Sequence, residues 1–191
     1  MINSKNNEND IFLSCQGKSW VVRLPVLLFM IYLLIQNMFN PDYFGFIRYF
    51  DLIIHEAGHW IFMPFGETLT ILGGTLMQII IPVVFAVAFW RQFDYFGLSF
   101  CLVWLGDNLF YVATYIGDAR ARVLPLLGGD SSGHDWYALL SGWGMLNYDT
   151  TIATLVQFLG VLIAVFGAVL GGGVLWMMYE SKKQLQKIQA K

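Results

Sequence analysis

His55 and His59 stand four positions apart and enclose Glu56, Ala57 and Gly58. On a helix, residues at that spacing share a face, so two imidazoles can meet one metal ion while the glutamate stands about a quarter-turn away. This is the HExxH pattern of zinc hydrolases. Two neutral imidazoles hold the ion, zinc lowers the pKa of its bound water to about 7, and the glutamate removes that water's proton. The chemistry predicted is hydrolysis. On a polar helix the same three residues would be ordinary surface groups, but residues 46–65 read FIRYFDLIIHEAGHWIFMPF. Ionisable groups in so apolar a stretch are costly to bury unless they are paired or bind metal.

Further polar residues could complete the site. Asp51 lies one turn before His55 and could hold a histidine N–H or pair with Arg48. Gln78 falls in an apolar run one turn before Pro82, where it could face the site or hydrogen-bond a neighbouring helix. Asp107 and Asn108 sit near the centre of another apolar run, where an unpaired carboxylate would be costly, so Asp107 reads as a ligand or a protonated structural acid. Residues 118–135, DARARVLPLLGGDSSGHD, gather Asp118, Arg120, Arg122, Asp130, His134 and Asp135 around an apolar LPLL. A connection with only surface duties would not need that apolar core, which predicts a loop that re-enters toward the site.

The elements that must position these residues are membrane helices. Of the 191 residues 57% are hydrophobic and only 13% charged, with a mean hydropathy of +0.59, against about a quarter charged in soluble proteins. The fold class expected is an all-α polytopic membrane protein with about five transmembrane helices. Residues 1–20 form a polar tail, 21–179 the membrane domain and 180–191 a basic tail. Spans are predicted at 21–39, 46–65, 75–90, 96–117 and about 152–179. Glu67, Thr68, Thr70 and the pair Gly73-Gly74 predict a short extended or hairpin segment after the HExxH helix. Residues 136–146 are too short to span and read as a partly inserted helix, with Trp136, Tyr137, Trp143 and Tyr148 suited to an interfacial belt.

Gly160, Ala164, Ala168 and Gly172 recur every four residues in the last span, a stripe that permits close helix contact. Packing within the chain is its expected use, with homodimerisation through this span as the other. Five spans would put the termini on opposite sides, yet Lys18 and Arg23, Arg120 and Arg122, and the C-terminal lysines all ask to be cytoplasmic. One segment must therefore be re-entrant or one charge cluster misleads. Cys15 and Cys101 fit no metal spacing and argue for no disulfide. A net charge of −2 and a pI near 5.8 offer no basic patch, so a nucleic-acid partner is not expected.

The stretches HEAGH, GGTLMQIIIP, DARARVLPLLGG and HDW, spread over residues 46–146, resemble the site-2 protease family of intramembrane zinc metalloproteases, and its small bacterial branch in particular. The resemblance implies zinc on His55 and His59, water activated by Glu56, and a carboxylate ligand from an Asp-Gly motif at the start of a later helix. No Asp-Gly pair occurs here. By role, His134 and Asp135 rank first as the third ligand, then Asp118, then Asp107. A bacterial inner-membrane location and a membrane-protein or peptide substrate are also implied. The substrate would add as a strand beside Leu72, Gly73 and Gly74, with Asn108 or Gln78 orienting it. Against this stand a non-catalytic membrane assembly or stability factor on the same scaffold, which the intact HExxH disfavours, and a transporter, which the lack of repeated motif halves disfavours.

Overall fold

The computed structural model describes Cys15, residues 17–40, Tyr43, residues 45–125 and residues 133–189. Among these residues it is all helical. The helices are α1 (Trp20–Phe39), α2 (Phe46–Phe62), α3 (Glu67–Arg91), α4 (Tyr95–Gly117), α5 (Asp135–Gly142) and α6 (Asp149–Gln189), with single 3-10 turns at Met63–Phe65 and Leu146–Tyr148.

Four stretches are long and apolar enough to cross a membrane: α1, α3, α4 and Leu146–Gln184, most of which is α6. The surface agrees with the composition. Large apolar side chains such as Phe39, Trp60 and Val169 are exposed, while Asn37, Arg48, Asp51, His55, Gln78, Asp107 and Asn108 are buried. Exposed apolar atoms and buried polar ones suit lipid as the surrounding solvent. The protein is an integral membrane protein.

α2 shows this inversion most clearly. Its buried positions are Arg48, Asp51, His55 and Gly58, spaced three or four apart, while Phe46, Ile53 and Trp60 on the other side are 71%, 68% and 73% exposed. At 17 residues it is about 25 Å long, short of a bilayer core, and it carries Arg48, Asp51 and Glu56. The fifth span expected at residues 46–65 is therefore a shorter helix that shows apolar side chains outward and polar ones inward. It ends in the 3-10 turn containing Pro64, and Gly66 at φ +99° supplies the backbone conformation that reverses the chain.

The segment expected to be extended, Glu67 to Gly74, is the beginning of α3. Its glycines serve close approach rather than a turn. A Cβ on Gly58 would collide with the Gly73 carbonyl, one on Gly73 would come 2.6 Å from the Gly58 carbonyl oxygen, and one on Gly74 would come 2.5 Å from the His55 ring. Helix α2 thus lies backbone to backbone on α3, and no strand edge exists there for a substrate to join. Gly58→Ala must push the two helices apart, at a cost of about 1–3 kcal/mol. A lower Tm in detergent, with weaker metal binding, is the expected result.

α4 is the most enclosed helix, packed by α3, α6 and α1. Gly160 and Ala164 of the glycine and alanine stripe, with Gly167 beside it, pack against α4. A Cβ on Gly106 would lie 2.6 Å from that of Ala164 and 2.8 Å from the Gly160 carbonyl, and one on Gly167 would lie 2.9 Å from the Ser99 carbonyl. Gly172 alone of the stripe glycines meets nothing. α6 runs on as one helix to Gln189, and at 41 residues it is about 60 Å long. Trp136, expected at an interface, is buried with Val112, Tyr115, Ile116, Leu139 and Leu140, an apolar cluster that seats α5 on the end of α4. Of the predicted re-entrant loop, residues 126–132 lie outside the described residues. Cys15 and Cys101 are buried thiols with no disulfide between them.

Candidate metal centre

His55 and His59 project from α2 toward α3, and each is held at Nδ1. His55 Nδ1 lies 2.9 Å from Gln78 Oε1, and His59 Nδ1 lies 2.8 Å from the Thr70 carbonyl oxygen. A carbonyl only accepts, so His59 carries its proton on Nδ1, and the Gln78 oxygen selects the same tautomer for His55. In the neutral rings both Nε2 lone pairs are then free, and both point at one atom. Asp135 Oδ2 lies 2.9 Å from His55 Nε2 and 3.3 Å from His59 Nε2.

Three electron-rich atoms facing one another repel unless a metal ion or a shared proton stands among them. Around a tetrahedral zinc ion, ligand atoms about 2.0–2.1 Å from the metal are about 3.3 Å apart; the His59–Asp135 separation equals that and the His55–Asp135 one, at 2.9 Å, is shorter. His55, His59 and Asp135 are a group that could hold a metal ion. Burial would raise the Asp135 carboxyl, but the His55 and His59 imidazoles against it outweigh burial and hold the group below the usual carboxylate range. It is therefore ionised at neutral pH, as a ligand must be.

The other candidates for third ligand are occupied elsewhere. His134 is the N-cap of α5: its Nδ1 accepts the Tyr137 N–H at 3.2 Å, so its Nε2–H points to Asp118 Oδ2 at 3.2 Å. Burial pushes the His134 imidazole below its ordinary pKa, with Asp118 opposing, which keeps the ring neutral. Asp118 also accepts the backbone N–H groups of Val123 and Leu124. The pair closes the loop between α4 and α5 and delivers Asp135, the next residue, to the histidines. Asp107 bonds Asn37 on α1 and takes no part in the site. Asp51 accepts from Trp104 Nε1 at 2.8 Å and touches no histidine.

Gln78 and Asn108 are both held by protein partners in the site region. Pro82, four residues on, has no N–H to give the Gln78 carbonyl, which would otherwise be left unpaired in the helix. Asn108 Nδ2 fills that place at 2.9 Å. The Gln78 backbone is thereby fixed from α4 while its side chain holds His55. Gln78→Leu removes the anchor at nearly constant volume, and about a 10–100-fold loss of metal affinity is expected by titration with a competing chelator.

Tyr115 was not singled out from the sequence. Its hydroxyl accepts the Asp135 N–H at 3.0 Å, and its ring lies 4.3 Å from His134 and 6.0 Å from His55, centroid to centroid. An aromatic residue two positions before the end of an apolar helix carries no signal of that role. Thr70 is equally silent, since it contributes a backbone atom. Glu56 is exposed and stands outside the three-residue group, within electrostatic range of His59, Tyr111 and Tyr115. No protein-family model, curated protein or solved structure matches the chain.

Proposed function

We propose that this protein is an intramembrane zinc metalloprotease that hydrolyses peptide bonds of membrane-associated polypeptides. One observation carries the reading: two imidazoles with committed Nδ1 protons turn their Nε2 atoms onto the Asp135 carboxylate, beside a glutamate that binds nothing else in the group. A structural zinc site would close the fourth position with a protein ligand, and no fourth residue joins this group among the described residues.

His55, His59 and Asp135 would hold the ion. Zinc bound there supplies a Lewis acid and a water of lowered pKa. Glu56, exposed and next to His55, takes a proton from the attacking water and returns it to the leaving amine. Gln78 and the Thr70 carbonyl keep the two imidazoles in the tautomer that leaves Nε2 free. Tyr115 and the His134–Asp118 pair hold Asp135 in place from the backbone side. The bacterial inner membrane is the proposed location, on the resemblance in the HEAGH and HDW stretches.

The test is elemental analysis of the detergent-purified protein, with cleavage of a membrane-anchored reporter before and after chelation. About one zinc per chain, with cleavage lost on chelation and restored by zinc, is expected. Well-folded protein that takes up no zinc when metal is supplied would sink the reading. Zinc without cleavage of any membrane polypeptide would favour the assembly or stability factor.

A further inference from the structure

Contacts between helices fix the direction of each one. Lys18, just before α1, pairs with Asp94, just before α4, at 3.7 Å, and Asn37 near the end of α1 bonds Asp107 farther along α4. α1 and α4 therefore run the same way. α2 runs that way too, because Asp51 meets Trp104 while His55, one turn later, lies against Tyr115. α3 runs opposite: its Gln78 meets Asn108, and its Phe85 meets Trp104. So does α6, whose Gly160 lies on Gly106 and Leu109, and whose Gly167 lies on Leu102 and Ser99.

α1 and α2 thus advance in one direction, and the chain reverses only after α2, after α3 and between α4 and α6. The start of α1 and the end of α6 consequently share one end of the bundle. This removes the conflict between five spans and the charge pattern. The shared end carries Lys18, Arg23, Arg91, Lys182, Lys183 and Lys187. Among the described residues the opposite end carries the fewer, Arg120 and Arg122, with Arg120 Nε 2.7 Å from Asp149 Oδ2 and the Arg122 guanidinium 4.3 Å from the Tyr137 ring centroid. Exposed aromatic residues mark both ends, with Trp90, Phe93, Trp176 and Tyr179 at the first and Trp60, Phe65, Trp143 and Tyr148 at the second.

An excess of lysine and arginine marks the cytoplasmic side of a membrane protein. His59, Thr70, Tyr115 and Asp135 all lie at the other end. We infer that the metal centre opens on the non-cytoplasmic side, and that its substrates are membrane-anchored polypeptides whose segment leaving the bilayer on that side is cut. The choice of substrate rests on the metalloprotease reading. The side does not.

The experiment maps the side without using activity. In full-length protein with Cys15 and Cys101 replaced by alanine, single cysteines are placed at exposed Ser141, at the metal end, and exposed Lys183, at the other. Intact bacterial cells are treated with a membrane-impermeant maleimide. Ser141→Cys should label without permeabilisation and Lys183→Cys only after it. The reverse pattern would overturn the orientation, and labelling of both from outside would overturn the even number of crossings. A fluorescent protein that matures only in the cytoplasm, fused to the C-terminus of the otherwise unchanged chain, gives a second readout; a dark fusion, made in full and inserted, would overturn the inference. Absence of cleavage by the zinc-loaded, unchanged chain, with the labelling as expected, would end the protease reading and leave the orientation standing.

Discussion

Alanine in place of His55, His59 or Asp135 is expected to strip the metal from the purified protein, while His134→Ala and Asp118→Ala retain it. Zinc sites bind with about 10–16 kcal/mol spread over four ligands, so losing one donor costs about 3–4 kcal/mol, or roughly 10²–10³-fold in affinity. The second pair acts through position. His134 caps α5 and Asp118 ties down the loop before it, so their removal loosens Asp135 without deleting a donor. Their expected cost is the 10–100-fold of an outer partner, visible by chelator competition and not by loss of stoichiometric metal. A metal-free His134→Ala protein that remains folded would overturn the assignment of Asp135 as the third ligand.

Glu56→Gln separates binding from turnover. The side chain is exposed and belongs to no metal-binding group, so its amide should leave metal content and Tm unchanged. Cleavage should fall by about 10²–10⁴-fold, the usual contribution of a positioned general base. Glutamine is nearly isosteric but cannot take the water's proton, which makes the pair of measurements decisive. Cleavage at the original rate would remove Glu56 from the mechanism. Metal loss in the same variant would show that Glu56 helps to hold the ion.

The central motif is legible in the sequence because both of its requirements are local. A spacing of four needs only a helix, and the apolar flanks supply the reason for its ionisable groups to be occupied. The third ligand is not local. Asp118, His134 and Asp135 are chemically interchangeable as written, and the choice is made by which of them satisfy each other: His134 and Asp118 pair, which leaves Asp135 to the histidines. Gly73 and Gly74 misled for a related reason. Glycine suits a strand turn or a helix crossing equally well, and only the opposing Gly58 decides between them. The direction of α2, on which the inferred number of crossings turns, was hidden as well, because it depends on contacts with Trp104 and Tyr115, more than fifty residues away in the chain.

Two of the centre's partners lie near helix ends, Thr70 three residues into α3 and Tyr115 two residues from the end of α4. Each position is about 3–5 Å from its helix end. Hydrolysis consumes one water for every bond broken, and a reaction buried at mid-bilayer would have to draw it through some 15 Å of hydrocarbon. For the proposed hydrolysis at this end of the bundle, the path would be a few water diameters. On the proposed reading a long solvent conduit would be unnecessary, and the interior of the bundle could stay closely packed beside a wet site.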